Sequence, residues 1–149
     1  MKHVFMSLLL VLGVSLSMSA QEKVKVKEQD VPENVKTALK TAYPDAKDID
    51  WKLKDGMYKA SFEVNGKSHL AGINTSGEVK SKGIEITKEE LPSNITTAIQ
   101  AGYAKWKIDD VYKIDADGQS SYLVELDGSP DKIVHYSADG KLVKEMADD

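Results

Sequence analysis

Apolar and polar positions change period along this chain, and the change occurs twice. An apolar stripe with spacings of three and four predicts an amphipathic helix near residues 35–42. Its members are Val35, Ala38, Leu39 and Ala42. From residue 49 to 64 apolar and polar residues alternate instead, which predicts half-buried strands. The same stripe returns at residues 95–102, and alternating segments follow it again. Each half of the chain is therefore predicted to be a helix followed by strands.

The two halves also share sequence around the predicted helices. Residues 31–43 read VPENVKTALKTAY and residues 91–103 read LPSNITTAIQAGY, so five of the thirteen positions are identical. A proline precedes each stripe, and proline suits the first helical turn, where its missing N–H would have no partner. An internal repeat of this kind indicates that one unit of about sixty residues was built twice.

Pairs of turn-forming residues separate the predicted strands. Asn65-Gly66 is the strongest hairpin signal, because glycine adopts positive φ without a steric cost. Further turns are predicted at Asp55-Gly56, Asp117-Gly118 and Asp127-Gly128. Four strands then follow each helix, connected by antiparallel hairpins rather than by β-α-β crossovers.

These elements predict an α+β fold: a tandem repeat of a helix plus four antiparallel strands. We expect two helices packed on one face of a shared antiparallel sheet. A sixty-residue unit alone would bury only about 60% of its surface, so the two repeats are expected to share one core. The predicted organisation is a single domain at residues 31–149, with repeats at 31–86 and 91–146. Residues 21–30, where lysine alternates with valine, favour a flexible leader over an edge strand.

The first twenty residues have the pattern of a secretory signal. Lys2 supplies a basic start, residues 4–16 are mostly apolar, and small residues precede a cleavage point near Ala20. The apolar run is shorter than the ~20 residues that span a bilayer, so we expect a cleaved signal peptide at 1–20 and no membrane insertion afterwards. The chain has no cysteine to carry a lipid or a disulfide. The predicted location is periplasmic or secreted.

The charge balance argues against polyanionic partners. All twenty basic residues are lysines, and removing residues 1–20 takes the formal net charge from −4 to −5. Arginine normally supplies the planar fork that reads phosphate and guanine. An acidic chain is also repelled by nucleic acid and by anionic membranes. We therefore expect no nucleic-acid partner.

Residue types that carry catalysis or bind metals are sparse. Only His69 and His135 remain after the signal, and they do not align between the repeats. Asp115–Gly118 fits a hairpin better than a calcium loop, since glutamate is absent from the twelfth position. Asp109-Asp110 would add carboxylates only if the fold brought them close. Neither G-x-S-x-G nor S-x-x-K occurs. We expect no enzymatic activity, no cofactor and no metal site.

Aromatic residues are the remaining candidates for partner contact. Trp51 and Tyr112 each precede a lysine in a predicted first strand, and we interpret them as matching positions of the two repeats. An aromatic side chain on the uncovered face of a one-layer sheet would anchor an interface. Burial under the helices is the alternative for both, and the sequence leaves it open.

One motif resembles a known family. The unit [VL]-P-x-N-[VI]-x-T-A-[LI], with Tyr43–Ala46 after it and Ser76-Gly77 or Asp139-Gly140 near the end, resembles the PepSY-like family. That family is also described as beta-lactamase-inhibitor-like and is common among small exported proteins of Bacteroidetes-type bacteria. The resemblance covers residues 31–146 as two copies and implies a helix-plus-sheet fold like that of the beta-lactamase inhibitor protein. PepSY domains proper are associated with restraint of peptidases. Unlike the disulfide-bonded inhibitor, this chain has no cysteine, and no inhibitory loop residues can be matched.

Together these patterns predict an exported, non-enzymatic module that binds an unknown protein or peptide through its open sheet face or hairpin loops. An inhibitor-like role is one form of this prediction. The alternative is a periplasmic small-ligand-binding or envelope-stress protein with a cavity between helices and sheet. A cystatin-like inhibitor is a further alternative, although the Q-x-V-x-G hairpin of cystatins is absent.

Overall fold

The computed structural model describes residues 23–148, so the predicted signal peptide at 1–20 lies outside the described residues. Two α-helices and nine β-strands form in this range. The helices are α1 (Glu33–Ala42) and α2 (Ser93–Gly102). The strands are β1 (Val24–Val26), β2 (Lys47–Lys54), β3 (Met57–Val64), β4 (Lys67–Asn74), β5 (Val79–Ile86), β6 (Lys107–Ala116), β7 (Gln119–Asp127), β8 (Lys132–Ser137) and β9 (Leu142–Ala147). The fold class is α+β, as predicted.

Both helices lie where the proline and the apolar stripe predict them. Each is ten residues long and begins directly after a proline. The tyrosine after each helix closes it: the N–H of Tyr43 donates to the carbonyl of Leu39 at 2.8 Å, and that of Tyr103 donates to Ile99 at 2.7 Å. Since Leu39 and Ile99 are themselves buried, the end of each helix is fixed against the sheet.

An asparagine in the first turn ties each helix to a distant turn of the sheet. Asn34 Nδ2 donates to the carbonyl of Thr75 at 2.8 Å, and Asn94 Nδ2 donates to that of Ala138 at 3.2 Å. In the first of these turns Gly77 has a φ of +84°, and a Cβ there would stand 3.0 Å from the Asn34 carbonyl oxygen. The asparagine shared by residues 31–43 and 91–103 therefore has a structural role: it attaches the start of each helix to a turn of the sheet.

All nine strands form one antiparallel sheet in chain order. Three predicted tight turns are present, because both residues of Asp55-Gly56, Asn65-Gly66 and Asp117-Gly118 have positive φ, as a type I′ hairpin requires. The turn predicted at Asp127-Gly128 is also present and joins β7 to antiparallel β8, but it is longer than the other three, at residues 128–131.

Both helices cover the same face of this sheet. Residues directly opposite each other in a ladder point to the same side. In the first half the register joins Trp51 to Ala60 and Ala60 to Ala71. In the second half Val124 is joined to Val111 and to Val134. All six residues are buried toward the helices, as the sequence predicts.

The core beneath the helices is divided, which corrects the expectation of one shared core. One cluster lies under α1 and centres on Val35, Leu39 and Trp51. A separate cluster lies under α2. It joins Ile95 and Ile99 of the helix to residues of β6, β7 and β8. The sheet is continuous between the two halves, whereas each helix has an apolar cluster of its own.

The segment predicted as a flexible leader contributes an edge strand. Val24–Val26 pairs with β2, joining Val24 to Leu53 and Val26 to Trp51. The physical reason is the alternation of valine and lysine, which lets Val26 pack against the α1 cluster while Lys25 reaches Asp50 at 3.5 Å. None of the helices in residues 23–148 is long and apolar enough to cross a membrane.

Candidate functional site

The two residues proposed for partner contact lie on opposite faces of the sheet. Trp51 is 2% exposed and faces α1. Tyr112 is 8% exposed and pairs with Glu85 and Leu123 on the side away from the helices. Val111, rather than Tyr112, occupies the position under α2 that Trp51 occupies under α1. Trp51 and Tyr112 therefore do not form one contact surface, and only Tyr112 lies on the uncovered side.

We call the side of the sheet away from the helices the open face. Its middle is apolar, and none of its apolar residues belongs to the two clusters under the helices. They are Leu70, Tyr112, Ile114, Leu123 and Ile133. Three of these, Leu70, Ile114 and Leu123, remain partly exposed, although no element of the described chain covers them. An uncovered apolar strip of this kind is typical of a docking surface.

Two glycines shape this face. A Cβ at Gly83 would stand 2.6 Å from Ile114 Cδ1 and 3.0 Å from Leu70 Cβ, so the two side chains close over the glycine. Gly72 likewise leaves space for the Ser81 side chain, whose Oγ would stand 2.4 Å from an added Cβ. Neither glycine has a positive φ; each is needed for space. A glycine inside a strand signals such a close approach, and this signal in the sequence could have located the open face.

Acidic residues gather at one end of the open face. Asp109, Asp110 and Glu125 place carboxylate oxygens within 4.8 Å of one another. The fold thus brings Asp109 and Asp110 to Glu125 on β7. Carboxylate oxygens are ligands for hard cations, but calcium takes about 6–8 oxygens, and this group supplies three carboxylates. Nothing in the sequence alone connects Glu125 with the two aspartates, and no metal site is expected from it.

Crowding of these carboxylates shows in their pKa values. Burial, then repulsion from Asp148, Asp110 and Asp109, raises the pKa of Glu125 to about 7. Burial and the neighbouring Asp109 likewise raise the pKa of Asp110. Burial, followed by the charges of Glu125 and Asp110, raises the pKa of the Tyr112 hydroxyl to about 12. This end of the face is therefore a region of concentrated negative potential near neutral pH.

The elevated pKa of Glu125 predicts that the protein loses stability as pH rises from 4.5 to about 7. In this window the folded protein keeps a proton that the unfolded chain has released, so raising the pH favours unfolding. We expect Glu125→Gln to remove most of this dependence and to raise the free energy of unfolding at pH 8 by about 1–2 kcal/mol, after discounting for solvent screening. Urea unfolding at pH 4.5, 6 and 8 measures the effect.

The matched control for that experiment is Glu63→Gln, which makes the same change on an exposed residue of β3. It is expected to leave both the stability and its slope with pH unchanged. Equal stability of Glu125→Gln and the unsubstituted protein at pH 8 would contradict the account of this acidic group.

The remaining titratable candidates do not come together. His69 stacks on Phe62, with ring centroids 5.7 Å apart, on the side of the helices. His135 lies on the open face, where its Nε2 is 2.7 Å from Ser121 Oγ. The two histidines are thus on opposite faces. Asp115 accepts a hydrogen bond from Ser120 Oγ at 2.6 Å within a hairpin, the structure that the sequence favours there.

A second surface feature is an aromatic groove between α2 and the strands β8 and β9, with a volume of about 560 Å³. Tyr103 and Trp106 meet edge to face in it, with centroids 5.9 Å apart. Lys132 Nζ lies 5.1 Å from the Trp106 ring centroid and 2.5 Å from Glu145, and Glu145 also accepts from the Tyr103 hydroxyl at 2.5 Å. Leu142, 45% exposed, forms its rim.

A known family matches most of the chain. The family model described as "Putative beta-lactamase-inhibitor-like, PepSY-like" matches residues 17–70 and again residues 52–144. No curated protein is similar enough in sequence to match.

Solved structures similar to this fold come from Bacteroides species. A putative periplasmic protein from Bacteroides eggerthii has a TM-score of 0.63 at 20% identity, over 78% of this chain and 88% of that one. A DUF2874 family protein from Bacteroides uniformis gives a TM-score of 0.61 at 21% identity, with the same coverage. A BLIP-like protein from Bacteroides fragilis gives 0.54 at 22% identity, over 78% of this chain and 85% of that one. At these identities the likeness concerns the fold.

Proposed function

Because this chain belongs to the PepSY-like, beta-lactamase-inhibitor-like family, we propose that it is an exported, non-catalytic module that binds a protein through its open face. The observation that carries the proposal is the uncovered apolar strip, in which Leu70, Ile114 and Leu123 are partly exposed on the open face without a covering element in residues 23–148. We also infer that its two halves are tandem copies of one helix-plus-four-strand unit.

The composition of the open face supports a protein partner. Protein interfaces combine an apolar centre with a polar rim. Here the apolar strip shares the open face with the acidic group at Asp109, Asp110 and Glu125, and the register places Lys59 and Lys144 on the same face. Tyr112 lies in the middle of this face, but at 8% exposure it has little area left for a partner, so we expect it to support the more exposed Leu70, Ile114 and Leu123.

The export part of the proposal is supported by the signal pattern of residues 1–20 and by a structural neighbour described as a periplasmic protein. The non-catalytic part is supported by the placement of His69 and His135 on opposite faces. Periplasmic and secreted locations are both compatible with the proposal.

A small-ligand site in the aromatic groove is the second candidate function. It is favoured by the groove volume of about 560 Å³ and by the half-buried indole of Trp106. The polar groups of the groove already pair with each other, since Glu145 forms an ion pair with Lys132 and accepts a hydrogen bond from the Tyr103 hydroxyl. A ligand there would gain mainly from apolar and stacking contact, which makes this the weaker candidate.

Capture of a partner from the envelope fraction tests the two candidates with one matched pair of variants. Leu123→Asp puts a charge on the apolar strip, and Leu142→Asp makes the same change at the rim of the groove. We expect the immobilised mature chain to retain a protein partner, Leu123→Asp to reduce its retention at least about tenfold, and Leu142→Asp to retain it fully.

Circular dichroism establishes first that both variants fold. Loss of the partner with Leu142→Asp and retention with Leu123→Asp would overturn the open-face proposal in favour of the groove. Capture of no protein by the unsubstituted chain would overturn protein binding, and dialysis with radiolabelled envelope extract would then search the groove for a small ligand.

A further inference from the structure

The last strand of the sheet, β9, has a free edge. The sheet runs from β1 to β9 in chain order, so the outer side of β9 has no neighbouring strand among residues 23–148. β1, at the other edge, is only three residues long, and its Lys25 forms an ion pair with Asp50. β9 is six residues long and contains no proline. An edge strand of this length is a template for pairing with another chain.

The hydrogen bonds between β9 and β8 determine which backbone groups of β9 point outward. A register shift near the start of β9 leaves the strand regular only from Lys144 onward. Just after its end, the N–H of Asp148 donates to the carbonyl of Asp131 at 3.3 Å. Hydrogen-bonded pairs alternate along an antiparallel ladder, so every second residue bonds to β8. The residues between them, Glu145 and Ala147, therefore point their N–H and C=O groups away from the sheet.

The regular segment that starts at Lys144 is complementary to itself in an antiparallel pair. With a two-fold axis at Met146, Glu145 lies opposite Ala147 of a second copy, and their outward N–H and C=O groups bond each other. Lys144 then lies opposite Asp148 of the second copy, which gives a cross-strand pair of opposite charges. Neither Lys144 nor Asp148 forms an ion pair within 4.0 Å in the described part of the chain.

We propose that this chain forms a dimer in which β9 pairs with β9 of a second copy about a two-fold axis at Met146. The two nine-stranded sheets then become one continuous sheet. A two-fold contact of this kind occupies the free edge of β9 on both copies and is closed, so it does not extend into a fibre. The proposal goes beyond the function proposed above and does not depend on the partner of the open face.

Side chains on both faces of β9 are compatible with this pairing. On the open face Met146 lies opposite Ile133, which belongs to the apolar strip. Contact between the two copies of Met146 therefore connects the apolar strips of the two open faces. On the helix side Glu145 meets only the small side chain of Ala147, so it keeps its ion pair with Lys132. An axis at Glu145 would instead place two glutamates opposite each other, and like charges in that position destabilise a sheet.

Disulfide cross-linking tests the position of the axis, because the chain has no cysteine of its own. The Cα atoms of Met146 and its copy would lie about 4.5 Å apart, within the range of a disulfide. Those of Lys144 and its copy would lie about 14 Å apart, beyond that range. We expect Met146→Cys to form a covalent dimer under mild oxidation and Lys144→Cys to remain monomeric on a non-reducing gel. Equal cross-linking of the two variants, or cross-linking of Glu145→Cys in place of Met146→Cys, would overturn the axis.

Sedimentation equilibrium of the mature chain tests the association itself. A contact of one strand from each copy is small, so we expect a dimer with a Kd of about 10–100 µM. Lys144→Glu places like charges opposite each other and is expected to weaken the dimer at least about tenfold. Combining Lys144→Glu with Asp148→Lys exchanges the two charges and is expected to restore association. The matched control is Lys141→Glu, the same change on an exposed residue just before β9, which is expected to leave the dimer intact.

Circular dichroism establishes that each of these variants folds, as expected for substitutions at an exposed edge. A chain that remains monomeric at about 1 mM would overturn the proposal. Loss of the dimer in Lys141→Glu to the same extent as in Lys144→Glu would also overturn it, because the effect would then come from net charge. If the exchanged pair failed to restore association, the pairing of Lys144 with Asp148 would be wrong.

Discussion

Trp51→Ala is expected to lower the free energy of unfolding by about 3–5 kcal/mol. Trp51 is 2% exposed and is the largest fully buried side chain in the described residues. It fills the space between β2 and α1 next to Val35 and Leu39, so its removal leaves a large cavity in a cluster that the other half of the protein does not share. Urea unfolding followed by circular dichroism measures the change.

Trp51→Phe distinguishes the free-energy cost of the cavity from the cost of the buried, unpaired indole nitrogen. Trp51 Nε1 is buried without a hydrogen-bond partner in the described structure, and such a group costs about 1–3 kcal/mol. Phenylalanine removes that cost while keeping most of the apolar volume, so we expect a net loss of about 1 kcal/mol or less. A cost for Trp51→Phe as large as that for Trp51→Ala would contradict the placement of Trp51 in the α1 cluster.

Gly128→Ala is expected to destabilise the protein by about 2–3 kcal/mol, because the new methyl group meets a rigid ring. A Cβ at Gly128 would stand 2.2 Å from Trp106 Cδ1 and 2.4 Å from Trp106 Nε1. The indole nitrogen donates to the carbonyl of Pro130 at 2.8 Å, so moving the ring also breaks this bond. In a Trp51→Phe background, a red shift of Trp106 fluorescence reports the displacement, and thermal unfolding reports the destabilisation.

Gly102→Ala is the matched control. A Cβ at Gly102 meets nothing within 4 Å, and the residue ends α2 without a positive φ. Alanine is the better helix former by about 1 kcal/mol, so we expect this variant to be neutral or slightly more stable. If Gly128→Ala were as well tolerated as Gly102→Ala, the contact between Gly128 and Trp106 would be wrong.

Features that depend on local sequence were predictable. The stripe at Val35 and Leu39 and the proline before it determine α1 through contacts within one helical turn. Asn65-Gly66 determines its hairpin because the two residues adopt positive φ readily. Asp127-Gly128 looks alike in sequence, yet here packing against Trp106 gives the glycine a different use. The chain still turns there, through the longer connection at residues 128–131, and a tertiary contact accompanies the turn.

The side of the sheet on which each aromatic residue lies was not predictable from the sequence. Trp51 and Tyr112 appeared equivalent because each precedes a lysine, but the ladder register makes Val111 the residue that faces the α2 cluster. A shift of one residue along a strand moves a side chain to the opposite face. Bulges in β2 and β6 just before these residues, which sequence does not reveal, make such an error easy.

The charged ends of the open face depend on long-range geometry. Glu125 joins Asp109 and Asp110 through the β6–β7 register. The strand register from β3 to β9 places Lys59 and Lys144 on the same face. Glycines 72 and 83 within β4 and β5 were the one sequence feature that pointed to close approaches on this face.

Site-specific photo-crosslinking in the envelope tests the central claim most directly. A photoreactive amino acid is placed at Leu123 on the open face, and at Gln100 on the exposed side of α2 as the control. The account predicts a discrete protein adduct from position 123 and none from position 100. Adducts from position 100 alone, or from neither position, would contradict protein binding by the open face.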